Sequence, residues 1–345
     1  MGNARGYGTV QGCLIGPGLS PGDDFFKCYF HPASVFDNSR YTIRCLEYAG
    51  KASARQHLLL PVLTSTKAIR YKSEFNAFTG NLMERKTVHR SHWQNQLIEV
   101  VDEGTTRSLY FGGHVLQSSM YLAAPQKLAL SYTRFMAAPL LIDDEPERIL
   151  IIGVGAGSLV RFFHHHFPDA QIDGIDYSSE VIDLARSHFH LPVSPKVAIH
   201  CCSGFQFLAE REDENNYDLI LIDAFDTAGM SSQIYSGPFF DLCQDHLALS
   251  GIVCLNLWSG DQSRMEEVAM EIGMRFDSTL ELPVPQRGNV ICLAGRGDVL
   301  SAVVDLDSGE LAFLQDRFEL NFREMVRVCR KYNLSVFQRI SRLFS

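Results

Sequence analysis

The sequence has no apolar run approaching the ~20 residues that a membrane span requires, so no membrane partner is expected. It has no Cys-x-x-Cys pair. Its nine cysteines, an odd number, are scattered, and Cys254 and Cys292 fall in apolar, strand-like runs where a free thiol acts as a small hydrophobe. That usage argues against a disulfide framework and for a reducing compartment. Basic charge is also short. The 31 Lys and Arg against 40 Asp and Glu leave a net charge of −9, so no nucleic-acid partner is expected, because nothing would neutralise a phosphate backbone. The same balance fits a cationic substrate. No His-Glu-x-x-His occurs, and His188 and His190 lack further ligands nearby. His164, His165 and His166 are consecutive on a helical stretch and point in different directions, so they read as a partly exposed helix end. No metal is expected. The N-terminus shows no apolar signal-peptide core, and MGNARG places Gly6 where a myristoylation motif needs Ser or Thr, so a cytoplasmic location is expected.

What is present is an ordinary globular composition, 46% apolar and 21% charged, over 345 residues, enough for one large domain or two modest ones. The organising stretch runs from Arg148 to Asp176. A short apolar strand, Ile149 to Ile152, leads into Gly153, Gly155 and Gly157, then an amphipathic helix, then a second strand from Gln171 that ends on Asp176. The glycines allow a tight turn and close approach of a ligand to the backbone. An acidic residue about 20 positions on sits where ribose hydroxyls would be presented. A nucleoside-binding βαβ unit follows, with a purely structural βαβ as the bland alternative.

Before this unit, residues 1–22 form a glycine- and proline-bearing lead-in, and 23–86 an extension in which Lys27 to Phe30 and Tyr41 to Tyr48 suit strands and Ala52 to Leu60 suits a helix. Residues 87–145 read as a small β-rich domain, a meander over Leu97 to Val101, Ser108 to Phe111 and Val115 to Ser118, with a helix expected from Leu128 to Leu140. Residues 146–300 continue the βα alternation, with Ser178 capping a helix to Phe189 and a strand, Leu219 to Ile222, delivering Asp223. Two closing strands, Ser278 to Leu282 and Asn289 to Ala294, lack a helix between them and so pair antiparallel. Residues 301–345 form a helical tail. The expected fold is α/β: a Rossmann-like, mostly parallel sheet with an antiparallel edge hairpin, preceded by a small β-meander domain.

Ligands of open parallel sheets bind beyond the strands' carboxyl ends, where the glycine loop, Asp176 and the segment Asp223-Ala224-Phe225-Asp226 collect. One carboxylate of the last pair can take a proton while the other holds a cation; alternatively Asp223 caps a turn. Tyr177 can stack on an adenine or fill space. Trp258 and the pair Cys201-Cys202 read as packing residues.

Taken together, Trp93-Gln94, the glycine-punctuated meander, Gln117, the loop GVGAGS, the acidic strand end and Asp-x-x-Asp resemble the spermidine synthases, the polyamine aminopropyltransferases, over roughly residues 85 to 300. The resemblance implies a small N-terminal β-domain and a Rossmann-like domain of the class I methyltransferase type. It implies transfer of an aminopropyl group from decarboxylated S-adenosylmethionine to an amine, with methylthioadenosine released. It also implies roles: Asp223 as base with Asp226 beside it, and Asp176 on the ribose. Gly153, Gly155, Gly157, Tyr177, Ser203, Gly204 and Gln94 fall around the nucleoside, and Gln117 and Tyr132 around the acceptor. The sequence departs from the family at Ala156, where the glycine loop otherwise carries an aspartate. It departs again at Ser203 of Ser203-Gly204, for an aspartate, and at Thr133-Arg134, for His-Glu. The alternatives are a small-molecule methyltransferase or aminocarboxypropyl transfer with S-adenosylmethionine, and a catalytically silent nucleoside-binding subunit. A homodimer is left open.

Overall fold

The computed structural model describes residues 85–335, apart from 213–215 and 227–228, together with two short strands earlier in the chain. The chain divides into two compact units, Met1–Phe75 and Asn76–Ser345. In the first, β1 (Cys28–His31) and β2 (Thr42–Cys45) pair antiparallel, close to the two strands expected there. The helix expected over Ala52 to Leu60 lies outside the described residues.

The second unit opens with a four-stranded antiparallel meander, β3 (Arg85–Trp93), β4 (Gln96–Glu103), β5 (Thr106–Phe111) and β6 (Val115–Tyr121). The sequence reading had three of these strands and missed β3. Its alternation carries His, Arg and Lys on the solvent face and leaves little apolar signal. Gln94 and Asn95, both at positive φ (45° and 63°), form the two-residue turn between β3 and β4, the primed geometry that matches strand twist. The inner face of the meander, Ile98, Val100, Leu109 and Met120, packs with Ala156, Val181, Leu184 and Phe189 of the following sheet domain.

The expected helix from Leu128 to Leu140 is instead a short helix, α1 (Ser131–Phe135), and a 3-10 turn (Ala138–Leu141). Pro139 is the reason: a proline ring cannot accept the preceding turn of an α-helix, but fits the start of a new one.

The main sheet has seven strands in the order β14-β15-β13-β10-β7-β8-β9. They are β7 (Arg148–Ile152), β8 (Gln171–Asp176), β9 (Val197–Cys201), β10 (Tyr217–Ile222), β13 (Leu247–Trp258), β14 (Ser278–Pro283) and β15 (Asn289–Gly295). A two-stranded ribbon, β11 (Phe225–Asp226) with β12 (Gly229–Met230), follows β10. The central pairings are parallel, whereas β15 runs antiparallel to both β13 and β14. Successive residues of β7 and β10 alternate between two cores. Ile149, Ile151, Leu219 and Leu221 enter one, and Leu150, Ile152, Ile220 and Ile222 the other. This alternation puts helices on both faces. α2 (Ser158–His166) packs into the first core; α4 (Gly204–Ala209), α5 (Gly237–Asp245) and α6 (Gln262–Gly273) pack into the second. α3 (Ser179–His188) is capped by Ser178, whose hydroxyl accepts from Val181 N at 3.2 Å, and it carries the meander.

The helical tail expected after β15 consists, among the described residues, of α7 (Val299–Val304), α8 (Ser308–Phe318) and α9 (Phe322–Asn333). Glu319, at φ 55°, breaks the run. Asn333 at the end of α9 accepts from Glu281 N (2.8 Å) and donates to Glu281 O (2.7 Å). One side-chain amide thus takes up the pairing groups of edge strand β14 that an exposed edge would leave open. Among the described residues, no helix is long and apolar enough to cross a membrane.

Candidate active site

The strand order reverses between β7 and β10, and the space beyond their carboxyl ends is where an open parallel sheet receives ligands. A cavity of about 680 Å³ lies there, roofed by the β5–β6 end of the meander (Phe111, Val115, Leu116) and floored by the glycine loop. A second cavity, about 450 Å³, sits between α1, α2 and the α8–α9 turn and touches neither the loop nor Asp223.

The glycine loop has the geometry its composition requires. Gly153, Gly155 and Gly157 all take positive φ (93°, 52° and 76°). At Gly153 a Cβ would stand 2.0 Å from the carbonyl oxygen of Asp223, so the glycine is what lets β10 deliver Asp223 beside the loop. At Gly155 a Cβ would meet nothing within 4 Å, so its backbone faces open cavity. Gly157 does not line the cavity and is packed against Leu191 and Arg161. Arg161, almost fully buried, braces the loop from below by donating to the carbonyls of Ala156, Phe189 (2.6 Å) and Pro125 (2.8 Å). Burial pulls its pKa down to about 10. Ala156, where the resemblance expects an aspartate, is fully buried among apolar side chains.

Asp176 ends β8 and is only 8% exposed. Its carboxylate accepts from Gly155 N and Ser178 N, each at 3.0 Å. Burial raises its pKa, while the backbone N–H groups oppose that shift. Beside it, Tyr177 is exposed at the cavity wall with its ring edge-on to Trp93, centroids 5.0 Å apart. Ser203 caps α4 by accepting from Gln206 N (3.1 Å), and both it and Gly204 line the cavity. Cys202 lines it as well while packing against the second core, as expected from sequence, whereas Cys201 is exposed.

Asp223 lies at the centre. Its N–H donates to Ile152 O (2.8 Å), and its carboxylate accepts from Asn256 Nδ2 (2.8 Å) and from the Tyr132 hydroxyl. Asn289 Nδ2 donates in turn to Asn256 Oδ1 (2.9 Å), and Tyr235 OH to Asn256 O (2.8 Å). Desolvation pushes the Asp223 pKa up to about 6, against the pull of Asn256 and Tyr132. Tyr132, also desolvated and facing that carboxylate, is raised well above its ordinary value and stays protonated. Its hydroxyl is 3.4 Å from Gln117 O, and both residues line the cavity.

The structure therefore gathers Gly153, Gly155, Asp176, Tyr177, Ser203, Gly204, Gln117, Tyr132 and Asp223 around one space. Gln94 is not among the lining residues; it occupies the exposed β3–β4 turn. Asp226 lies in β11, but its side chain is outside the described residues. Sequence reasoning missed Asn256, Asn289 and Arg287, and read Trp258 as packing, although all four line the cavity. Asn256 left a signal: one amide inside the apolar run Val253-Cys254-Leu255-Asn256-Leu257, only 2% exposed, needs partners to stay there. The other three depend on how the β14–β15 hairpin folds back over β13.

A seven-stranded sheet with this strand order, a glycine loop at the switch point and an acidic residue ending the second strand define a Rossmann-like α/β fold. The Spermine/spermidine synthase domain matches residues 130–271. The polyamine aminopropyltransferase of Chromobacterium violaceum is 32% identical over 244 residues, covering 68% of this chain and 90% of that protein. The one of Neisseria meningitidis is 32% identical over 231 residues, covering 66% and 87%. Among solved structures, a probable spermidine synthase from Corynebacterium glutamicum superposes with a TM-score of 0.57 at 21% identity, covering 67% of this chain and 87% of that one. The chain belongs to the spermidine synthase family of polyamine aminopropyltransferases, and is a transferase.

Proposed function

We propose that the chain transfers the aminopropyl group of decarboxylated S-adenosylmethionine to a primary amine and releases methylthioadenosine. The observation that carries this is Asp223, a desolvated carboxylate with a pKa of about 6 at the switch point, aimed into a cavity that also holds the glycine loop and Asp176. In the proposed step the acceptor arrives as an ammonium and gives a proton to Asp223. Its lone pair then forms a bond to the methylene carbon beside the sulfonium. The carbon–sulfur bond breaks with its electrons going to sulfur, which leaves as a neutral thioether. A base with a pKa near the working pH combines a large ionised fraction with useful proton affinity. Asn256 and Tyr132 fix the direction of the carboxylate, so the amine meets it in one geometry.

Asp176 and the glycine loop supply the nucleoside end. The carboxylate, held by backbone N–H groups of the glycine loop and of the turn after β8, lines the cavity where ribose hydroxyls would reach it. Tyr177 offers a ring for the adenine, and the start of α4 at Ser203 and Gly204 its polar edge. Gln117 and Tyr132, which line the same cavity, are assigned to the acceptor amine.

The test is incubation of the full chain with decarboxylated S-adenosylmethionine and a panel of primary amines, following methylthioadenosine by chromatography. Stoichiometric methylthioadenosine and aminopropylated amine are expected. A chain that binds methylthioadenosine but releases none from the donor with any amine does not catalyse this reaction.

A further inference from the structure

Trp258, the last residue of β13, lines the cavity and has no part in the steps above. Side chains alternate along a strand, so Trp258 projects to the same side of the sheet as Asn256, whose amide donates to Asp223. It is 43% exposed, unusual for an indole that serves packing alone. Two glycines hold it. A Cβ at Gly260 would collide with the indole Nε1, and one at Gly288 would stand 2.8 Å from Cη2 and Cζ3, so backbone lies directly against both rings. Gly288 is itself fixed, its carbonyl accepting from Ser259 N (2.8 Å) and Ser259 Oγ (2.9 Å). The indole is thus a plate clamped at both rings, with the rest of its surface open.

The sheet order β13-β10-β7-β8 puts Asp223, just past β10, between Trp258 and the nucleoside groups Asp176 and Tyr177 at the end of β8. The plate therefore stands on the far side of the base from the nucleoside. The β10–β13 register sets Ile222 beside Leu255, and hence Asp223 beside Asn256. Trp258 lies two residues farther along β13, so one strand spacing and two residue rises separate it from Asp223, roughly 8 Å. A four-carbon chain bridges that gap once each end keeps its contact distance. Arg287, next to Gly288, also lines the cavity, and Asp226 follows the lining residue Phe225 on β11. The experiment below separates Asp226 from the indole.

On the reading of the site given above, we infer that Trp258 determines acceptor specificity: its indole face receives the distal cation of an acceptor whose primary amine, at the other end, meets Asp223. An aromatic face attracts a cation through its quadrupole, and indole does so best. Unlike a carboxylate it asks for no N–H in return, so it receives an alkylated ammonium as well as a primary one. The acceptor class is a primary amine joined by a short aliphatic spacer to a second cation. N-alkylation up to a quaternary centre is admitted at the far end only, because the near nitrogen must give a proton to Asp223 and keep a lone pair for attack.

The experiment compares 1,4-diaminobutane and (4-aminobutyl)trimethylammonium, which carry a distal cation, with 1-aminopentane, which has similar length and none. Affinities are measured by calorimetry on the full chain saturated with methylthioadenosine. The wild type is expected to bind both dications roughly fivefold more tightly than 1-aminopentane, and within about twofold of each other. Trp258→Leu should bring all three within about twofold. Because leucine could also disturb the hairpin, 5-fluorotryptophan and 5,7-difluorotryptophan are placed at position 258 alone. They keep the shape of the plate and drain its face of electron density, so dication affinity should fall stepwise, about twofold per fluorine, while 1-aminopentane is unchanged. No preference for dications in the wild type, a preference untouched by fluorination, or tenfold weaker binding of the quaternary amine than of the diamine overturns the inference. So does a preference that is lost in Asp226→Asn and kept in the fluorinated chain, which would assign the distal cation to Asp226. Methylthioadenosine release from decarboxylated S-adenosylmethionine is followed separately. If the dications bind in the expected order but nothing is transferred, the transfer reading fails and the cation site stands. If 1-aminopentane binds and reacts as readily as 1,4-diaminobutane, the transfer reading stands and the inference fails.

Discussion

Replacing Asp223 with asparagine should exchange activity for stability. The carboxyl is pushed from 3.8 up to about 6, chiefly by burial, so keeping it ionised costs the fold roughly 3 kcal/mol at a pH well above 6. The sign follows from linkage. A carboxylate whose folded pKa is raised costs nothing below its unfolded value, and its full penalty is present once the pH passes the folded value. Asparagine keeps an oxygen for Asn256 Nδ2 but turns an amide N–H₂ toward the Tyr132 hydroxyl, which returns ~1 kcal/mol. The net gain for Asp223→Asn at pH 8 is about 2 kcal/mol, or roughly 3–6 °C in Tm, shrinking toward zero as the pH falls to 4. Proton acceptance is lost at every pH, so single-turnover aminopropyl transfer should drop by ~10²–10⁴. Thermal melts across pH and rapid-quench transfer assays on the same samples measure both. A variant that turns over at the wild-type rate, or one less stable than the wild type at pH 8, refutes the argument.

Four further outcomes are expected. Turnover of the wild type should lose its acid limb near pH 6 as Asp223 takes a proton. Asn256→Ala, by removing a hydrogen bond that lowers that pKa, should move the limb to higher pH in a kcat/KM profile. Asp176→Ala should weaken methylthioadenosine binding at least tenfold by calorimetry, because it removes the proposed ribose contact and frees Gly155 N and Ser178 N together. Gly153→Ala should cost at least ~1–3 kcal/mol in chemical denaturation and abolish transfer, since its Cβ collides with the Asp223 carbonyl at a backbone angle alanine avoids.

Much of the sheet domain was legible because local pattern and tertiary role coincide there. The run Ile149 to Ile152 is apolar at every position because it is buried on both faces, and that burial is the mark of a central parallel strand. The three glycines announced a turn that only positive φ can make, and Ser178 announced the helix that it caps. Where pattern and role part, the reading failed. β3 is half solvent-facing and shows few apolar residues, and the Leu128 to Leu140 segment has helical periodicity but a proline that divides it.

The sequence by itself determined which strands carry the carboxylates, since the βα alternation puts Asp176 and Asp223 at carboxyl ends of one parallel sheet wherever the helices fall. It also determined the family, through motifs that are contiguous along the chain. Tertiary structure alone decided the rest of the site. The raised pKa of Asp223 comes from desolvation by side chains far along the chain. The Asn256 and Asn289 amides reach it only because β13 and β15 pair in one register, with Asn256 opposite Ile291. Arg287 and Trp258 share the cavity because an antiparallel hairpin folds back beyond the strand ends. Spacing along the chain encodes contacts within a strand, a turn or a helix, but the electrostatics of a cavity are a sum over neighbours in space, and folding alone chooses those.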